Sequence, residues 1–197
     1  MRHLSHGARH FQVVLLSFLL IACGDDFWDE SSPEDEDLEQ TVLDEPAMQP
    51  AVDMEEELEG LIEAVIVATN AVRSNKQNCG VHGHLGPSPA VHSNAALNEA
   101  AQAHVDDMNQ HQFISHIGTD GGDFTDRIED AGYDGVPVGE NIAATNRQSK
   151  ELLEGWLASD DHCRVLMRPD AREIGVGLGI NGGDGEFTFY WVQVFGG

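Results

Sequence analysis

An α+β fold is predicted for this chain from two observations. Apolar residues recur at helical spacing through its middle, and in its last third the period changes to that of strands. Helices come first and an antiparallel pair comes last, joined by a glycine-rich turn. With so few strands, the helices are expected to pack on a small sheet.

The 197-residue chain opens with Arg2, His3, His6, Arg9 and His10, followed by "FQVVLLSFLLIA" up to Cys23. A basic start and an apolar stretch of about a dozen residues make a secretory signal, too short to span a bilayer comfortably. Residues 1–22 are read as that signal. Its end, "LIAC", places Leu20 three residues before Cys23 and resembles the lipobox of bacterial lipoproteins. The resemblance implies cleavage before Cys23 and a diacylglycerol on its sulfur. Three cysteines in an exported protein leave one odd, and with Cys23 lipidated Cys79 and Cys163 remain as a pair.

The formal net charge is −25, and it is concentrated. From Gly24 to Gly60 there are sixteen Asp or Glu and no Lys or Arg. Such a segment repels itself and has too little apolar surface to offset its ordering entropy, so residues 23–54 are expected to form a lipid-anchored, extended, disordered tether. The acidic chain argues against nucleic acid as a partner, because phosphate binding depends on clustered Lys and Arg. Anionic head groups are disfavoured for the same reason, which leaves the lipid as the membrane contact. The protein is thus expected at the bacterial cell envelope, facing the periplasm or the exterior.

Residues 55–197 form the globular part. Leu58, Leu61, Ile62, Val65, Ile66, Thr69 and Val72 make one apolar helix face over about 56–74. The Gly, Pro and Asn of "NKQNCGVHGHLGPSPAVHSN" mark a loop. A second helix starts near Asn94, with Leu97, Ala100, Ala101, His104, Val105 and Met108 on one face, where His104 reads as a satisfied core histidine rather than a ligand. "SHIGTDGG" is a turn that carries His116, and "DFTDRIEDAGY" is a short capped helix stopped at Gly132. "VGENIAAT" reads as an irregular, tightly packed segment, and "SKELLEGWLAS" as an amphipathic helix with Leu152, Leu153, Trp156 and Leu157 inward. "EIGVGLGI" and "EFTFYWVQVF" are strands joined through "NGGDG". No repeat, P-loop or dinucleotide fingerprint occurs, and "DGGDFTD" lacks the spacing of an EF-hand loop.

In order, "LNEAAQAHVDDM", "FISHIGTDG", "GENIA", "GWLASDDHCRVLM", "EIGVG" and "YWVQVF" resemble the CAP superfamily, the cysteine-rich secretory, antigen 5 and pathogenesis-related 1 proteins, in its bacterial SCP-like form. The resemblance covers residues 58–197. It implies an α-β-α sandwich with a small central antiparallel sheet and an open cleft in which His116 and Glu140 face one another. Many eukaryotic members complete a tetrad at two further places, which here hold Ser159 and Tyr190, so that tetrad is not intact. His162 in "SDDH" matches a histidine common in bacterial members, with Asp160 and Asp161 in place of the usual Pro and Gly.

Cleft or ligand-binding candidates are therefore His116, Glu140, His162, Tyr190 and Ser159. His116, Glu140 and His162 make a possible two-His, one-carboxylate set for a divalent metal such as zinc. The same residues could work without metal, but no "GxSxG" elbow supplies a nucleophile. The bland alternative is a buried polar network that holds the domain together. The first reading is an extracytoplasmic binding module for a lipid, peptide or other small molecule; the second is a metal-assisted, protease-like hydrolase. Whether anything is catalysed the residues leave open.

Overall fold

A computed structural model describes residues 54–146, 149–183 and 185–197. The expected signal, the expected anchor at Cys23 and the expected tether up to residue 53 lie outside the described residues. Helix α1 (Met54–Arg73) carries Glu55, Glu56 and Glu57 in its first turn and Arg73 in its last, charges that complement the helix dipole. After it come two-residue strands β1 (Gln77–Asn78) and β2 (His84–Leu85), paired antiparallel around a single helical turn at Gly80–His82. Strand β3 (His92–Ser93) leads into helix α2 (Ala95–His111), which starts where Asn94 Oδ1 accepts from Ala96 N and Leu97 N. Helix α3 (Phe124–Asp130) opens with a capping box between Asp123 and Asp126.

"VGENIAAT" is not irregular. Residues Pro137–Thr145 form strand β4 of the main sheet, and they lack an alternating pattern because both faces of that strand are covered. Helix α4 (Ser149–Ala158) follows as expected. The "DDHCRVL" stretch, assigned no element from the sequence, is helix α5 (Asp160–Leu166). Strands β5 (Glu173–Ile180) and β6 (Phe189–Gly196) make the predicted hairpin.

The main sheet has the order β3-β5-β6-β4, antiparallel except that the short β3 runs parallel to β5. Alternation along β6 divides the core in two. Trp191 and Phe195 pack with α1, α4 and α5, through Val65, Ile66, Leu153, Trp156 and Leu166. Tyr190, Val192 and Val194 pack against Leu97, Ala101, Val105 and Met108 of α2. Burying each such large side chain stabilises the fold by roughly 1.5–3 kcal/mol. The sheet lies between two helical layers, which is the sandwich expected.

On β5 the residues facing α2 are Gly175, Gly177 and Gly179. A Cβ at 175 would stand 2.0 Å from the Leu97 carbonyl carbon, and one at 177 would stand 2.6 Å from the Ala101 oxygen. Only glycine lets the helix backbone rest directly on the strand. Arg73, fully buried, closes the far end of α1 by donating to the carbonyls of Pro89, Leu166, Arg168 and Ala171 at 2.6–3.3 Å.

Candidate functional site

Between the 113–118 turn, β4 and α5 lies a cleft of about 720 Å³. Glu140 projects from β4 toward α3 and is almost wholly covered, its side chain 1 % exposed. A carboxylate taken out of water must be paired. Its Oε1 lies 2.7 Å from His116 Nδ1, and its Oε2 accepts from Arg127 Nη2 of α3 at 2.8 Å. Arg127 also donates to the carbonyls of His116 and Gly122, so one guanidinium fixes both the carboxylate and the turn that carries the histidine.

His116 is half exposed, at 51 %. With Nδ1 turned to a carboxylate, its Nε2 edge is left for the cleft. Behind it, buried His104 of α2 holds the Ser115 carbonyl with Nε2 at 2.8 Å. The sequence reading of His104 as a core histidine holds, although its Nδ1 is buried without a partner. Burial pushes its pKa below the ordinary value.

His162 enters the cleft from α5. Burial, then the nearby charge of His116, push its pKa down, and Asp161 opposes them. The start of α5 is clamped from the β1–β2 segment: Cys79 is disulfide-bonded to Cys163, Val81 N donates to Asp160 Oδ2 at 3.0 Å, and His82 Nε2 lies 2.9 Å from Asp161 Oδ1. That last contact holds the Asp161 carboxyl below the usual range. Asn141 Nδ2 of β4 reaches the His162 carbonyl at 3.3 Å.

The structure therefore brings His116, Glu140, His162 and Ser159 to one cleft. Tyr190 is elsewhere. Glu140 pairs with Val194, and Tyr190 is four residues further along β6, roughly 13 Å away at strand rise. Its ring packs edge-on against Phe187 beside a separate hollow lined by Phe113 and Ile114.

The possible two-His, one-carboxylate set for zinc meets this same pairing of Glu140. Both Glu140 oxygens are committed, one of them to a cation, and among the described residues no three His, Cys, Asp or Glu side chains form a group able to hold a metal ion. Arg127, His82 and Arg164 were missed as site residues. Arg127 carried a faint signal, as the lone cation of "DFTDRIED".

The family model for the cysteine-rich secretory protein family matches residues 68–195. Over 80 residues the chain is 35 % identical to an uncharacterized membrane protein, YlbC, of Bacillus subtilis (strain 168), covering 41 % of this chain and 23 % of that one. A second Bacillus subtilis protein, uncharacterized YkwD, is 28 % identical over 99 residues, covering 50 % of this chain and 36 % of that one. The chain thus spans well under half the length of these relatives. Among solved structures, an extracellular protein containing a SCP domain from Bacillus anthracis strain Ames superposes with a TM-score of 0.59 at 24 % identity, covering 76 % of this chain and 45 % of the other. An outer surface protein of Borrelia burgdorferi superposes at 0.54 with 17 % identity, covering 76 % and 98 %. At such identities the likeness is one of fold.

Proposed function

The chain belongs to the cysteine-rich secretory protein family, and from that premise we propose that it is an exported binding module, anchored through Cys23, that takes its ligand in the cleft between His116 and His162. The observation that carries this reading is the commitment of Glu140. Its two oxygens are spent on His116 and Arg127, so it shapes the cleft and orients an imidazole rather than acting as a base toward a substrate. Ser159 lines the cleft, yet among the described residues its hydroxyl makes no hydrogen bond to His116 or His162, so no activated serine is at hand.

The exported setting agrees with the basic and apolar start of the chain and with relatives described as membrane, extracellular or outer surface proteins. The ligand is a small molecule, lipid or peptide small enough for the cleft. Metal-assisted hydrolysis is the second reading. It is favoured by the way Glu140 turns the Nε2 edge of His116 outward, an orientation that carboxylates impose on metal-bound imidazoles. It lacks a third protein ligand.

Purified protein incubated with metabolite and peptide libraries, with and without chelator, separates the two. Retention of a compound that survives chelation without turnover supports the module. Turnover that the chelator abolishes overturns it.

A further inference from the structure

Arg127 borders a second hollow. Its Nη groups hold Glu140 and the carbonyls of His116 and Gly122, while its side chain also lines a space of about 340 Å³ between α2, α3 and the 118–120 turn. This hollow shares no lining residue with the cleft of His116 and His162.

The floor is small and apolar, made by Ala100 and Ala103 of α2 and Ala131 at the end of α3. The rim is acidic. Glu99, Asp107, Asp120 and Asp130 line it, against Arg127 as the one Lys or Arg, and Arg127 is already paired with Glu140. Asp107 accepts from Thr119 N and Oγ1 at 2.8 and 2.7 Å, with His111 Nδ1 2.9 Å away, and Asp120 accepts from Gly122 N at 2.8 Å. These two carboxylates are near neighbours, since Asp120 Oδ1 and Asp107 Oδ2 would stand 2.8 and 3.2 Å from one Cβ placed on Gly118. Among the described residues, the side chains of Glu99 and Asp130 make no hydrogen bond or ion pair.

An acidic rim alone would be a solvated edge. What marks this one is a pair of buried polar atoms without partners, His104 Nδ1 and Arg127 Nε, on two residues that line the hollow. His104 is fully buried, and its Nε2 meets the Ser115 carbonyl, which can only accept. The proton of the neutral ring therefore sits on Nε2, and Nδ1 is a lone pair that needs a donor. Arg127 Nε is an N–H that needs an acceptor. The two side chains end side by side, because they hold the consecutive carbonyls of Ser115 and His116 at 2.8 and 3.2 Å. Each atom left unmet costs about 1–3 kcal/mol. One hydroxyl meets both, donating to Nδ1 and accepting from Nε.

The rest of the occupant follows from size and charge. Among the described residues no three His, Cys, Asp or Glu side chains form a group able to hold a metal ion, so these donors do not suit one. A hollow of this volume over three alanines suits a small organic molecule whose carbons lie on them. The carboxylates around it favour a positive charge.

We propose that this hollow is a second ligand site, for a hydroxylated organic amine whose hydroxyl bridges His104 Nδ1 and Arg127 Nε and whose ammonium lies among the carboxylates of Glu99, Asp107, Asp120 and Asp130. Amino sugars and simple amino alcohols share that chemistry. The site stands apart from the cleft of His116 and His162, and neither reading depends on the other.

The test titrates D-glucosamine and ethanolamine, at low salt, into the mature full chain labelled with nitrogen-15. At least one of them is expected to move the Nδ1 resonance of His104 and the Nε resonance of Arg127, and the tighter of the two tells an amino sugar from an amino alcohol. Cyclohexylamine keeps the charge without a hydroxyl, and N-acetylglucosamine keeps the hydroxyls without the charge. Each should bind at least about tenfold more weakly than the better amine. So should that amine with the Glu99→Gln, Asp130→Asn protein, in which both altered side chains are exposed and unchanged melting shows that the fold is kept. Equal binding by either comparison compound, or by the doubly substituted protein, overturns the proposal. If neither amine moves the two resonances, the hollow holds water alone and the site falls. A response confined to His116 and His162 assigns the amine to the cleft, which overturns this site and leaves the cleft's own reading standing.

Discussion

Gly175 and Leu97 approach so closely that a Cβ on the glycine would lie 2.0 Å from the Leu97 carbonyl carbon and 2.1 Å from its oxygen. The obstruction is helix backbone, which cannot swing aside as a side chain can. Gly175→Ala is therefore expected to destabilise the protein at the upper end of overpacking costs, about 3 kcal/mol or more. Gly60→Ala is the control. Gly60 is exposed on α1 with nothing within 4 Å of its Cβ position, and the substitution should stabilise by about 0.5–1 kcal/mol. Urea midpoints at constant slope check both.

Arg73 yields a second prediction. It is fully buried and donates to four carbonyls from three stretches of chain. Arg73→Met fills most of the volume but strands those carbonyls, each at a cost of about 1–3 kcal/mol where no water enters. Arg73→Lys supplies one charged tip and cannot span them, so it should recover only part of the loss. Equal stability of the Lys variant and the parent in urea would contradict the multi-carbonyl role.

The disulfide closes a loop with a sequence separation of 84. Constraint of the unfolded chain by such a loop is worth roughly 4–5 kcal/mol. The doubly substituted Cys79→Ala, Cys163→Ala protein should be destabilised by about that amount. It should also lose definition at His162, whose helix start relies on the same clamp through Val81 and His82. Denaturant unfolding gives the first effect and the line width of the His162 imidazole resonances the second.

The sequence was legible where a pattern and the packing agreed. The heptad-like face of α2 and the Gly alternation of "EIGVGLGI" are two sides of one contact, and both elements were found. β4 was missed because its residues Glu140 and Asn141 are polar yet buried, one for the cleft network and one for the α5 carbonyl, so no alternation survives. α5 was missed although the equally short α3 was found: α3 carries a capping box, whereas Ser159 makes no side-chain cap bond at the start of α5, and a disulfide and two contacts from the β1–β2 segment support that helix from outside. His116, Glu140 and His162 were reached by resemblance. Tyr190 was misplaced because strand register, which sets its distance from Glu140, is not written in any local motif.

His104 supplies a pH prediction. Burial lowers its pKa in the folded protein below the ordinary 6.5, with Arg127 acting in the same sense and Glu140, Asp107 and the Ser115 carbonyl opposing. The unfolded chain then binds the proton more readily, so stability is complete above about pH 6.5 and falls as pH drops toward the folded value. His162 is shifted the same way, burial first and His116 second. Parent protein should lose stability between pH 7 and 5. His104→Gln, which can still donate to Ser115, should lose less over that interval. Identical slopes in the two proteins would remove His104 as a cause.

The last prediction separates orientation from mere stabilisation at Glu140. As a carboxylate it only accepts, so the His116 proton sits on Nδ1 and the Nε2 lone pair faces the cleft. In Glu140→Gln the one remaining acceptor oxygen is drawn to Arg127, whose guanidinium has no acceptor of its own. The Gln amide then presents a donor to His116 Nδ1, which must accept, and the proton moves to Nε2. The neutral tautomer of His116 should switch, readable in its imidazole nitrogen shifts. Stability should fall by less than in Glu140→Ala, where Arg127 is left buried without a counter-charge at a cost of about 3–5 kcal/mol. Ligand retention that depends on the Nε2 lone pair should fall in Glu140→Gln even at temperatures where the variant is fully folded. A Glu140→Gln protein that keeps the parent tautomer and the parent's ligand retention would mean that Glu140 serves packing alone.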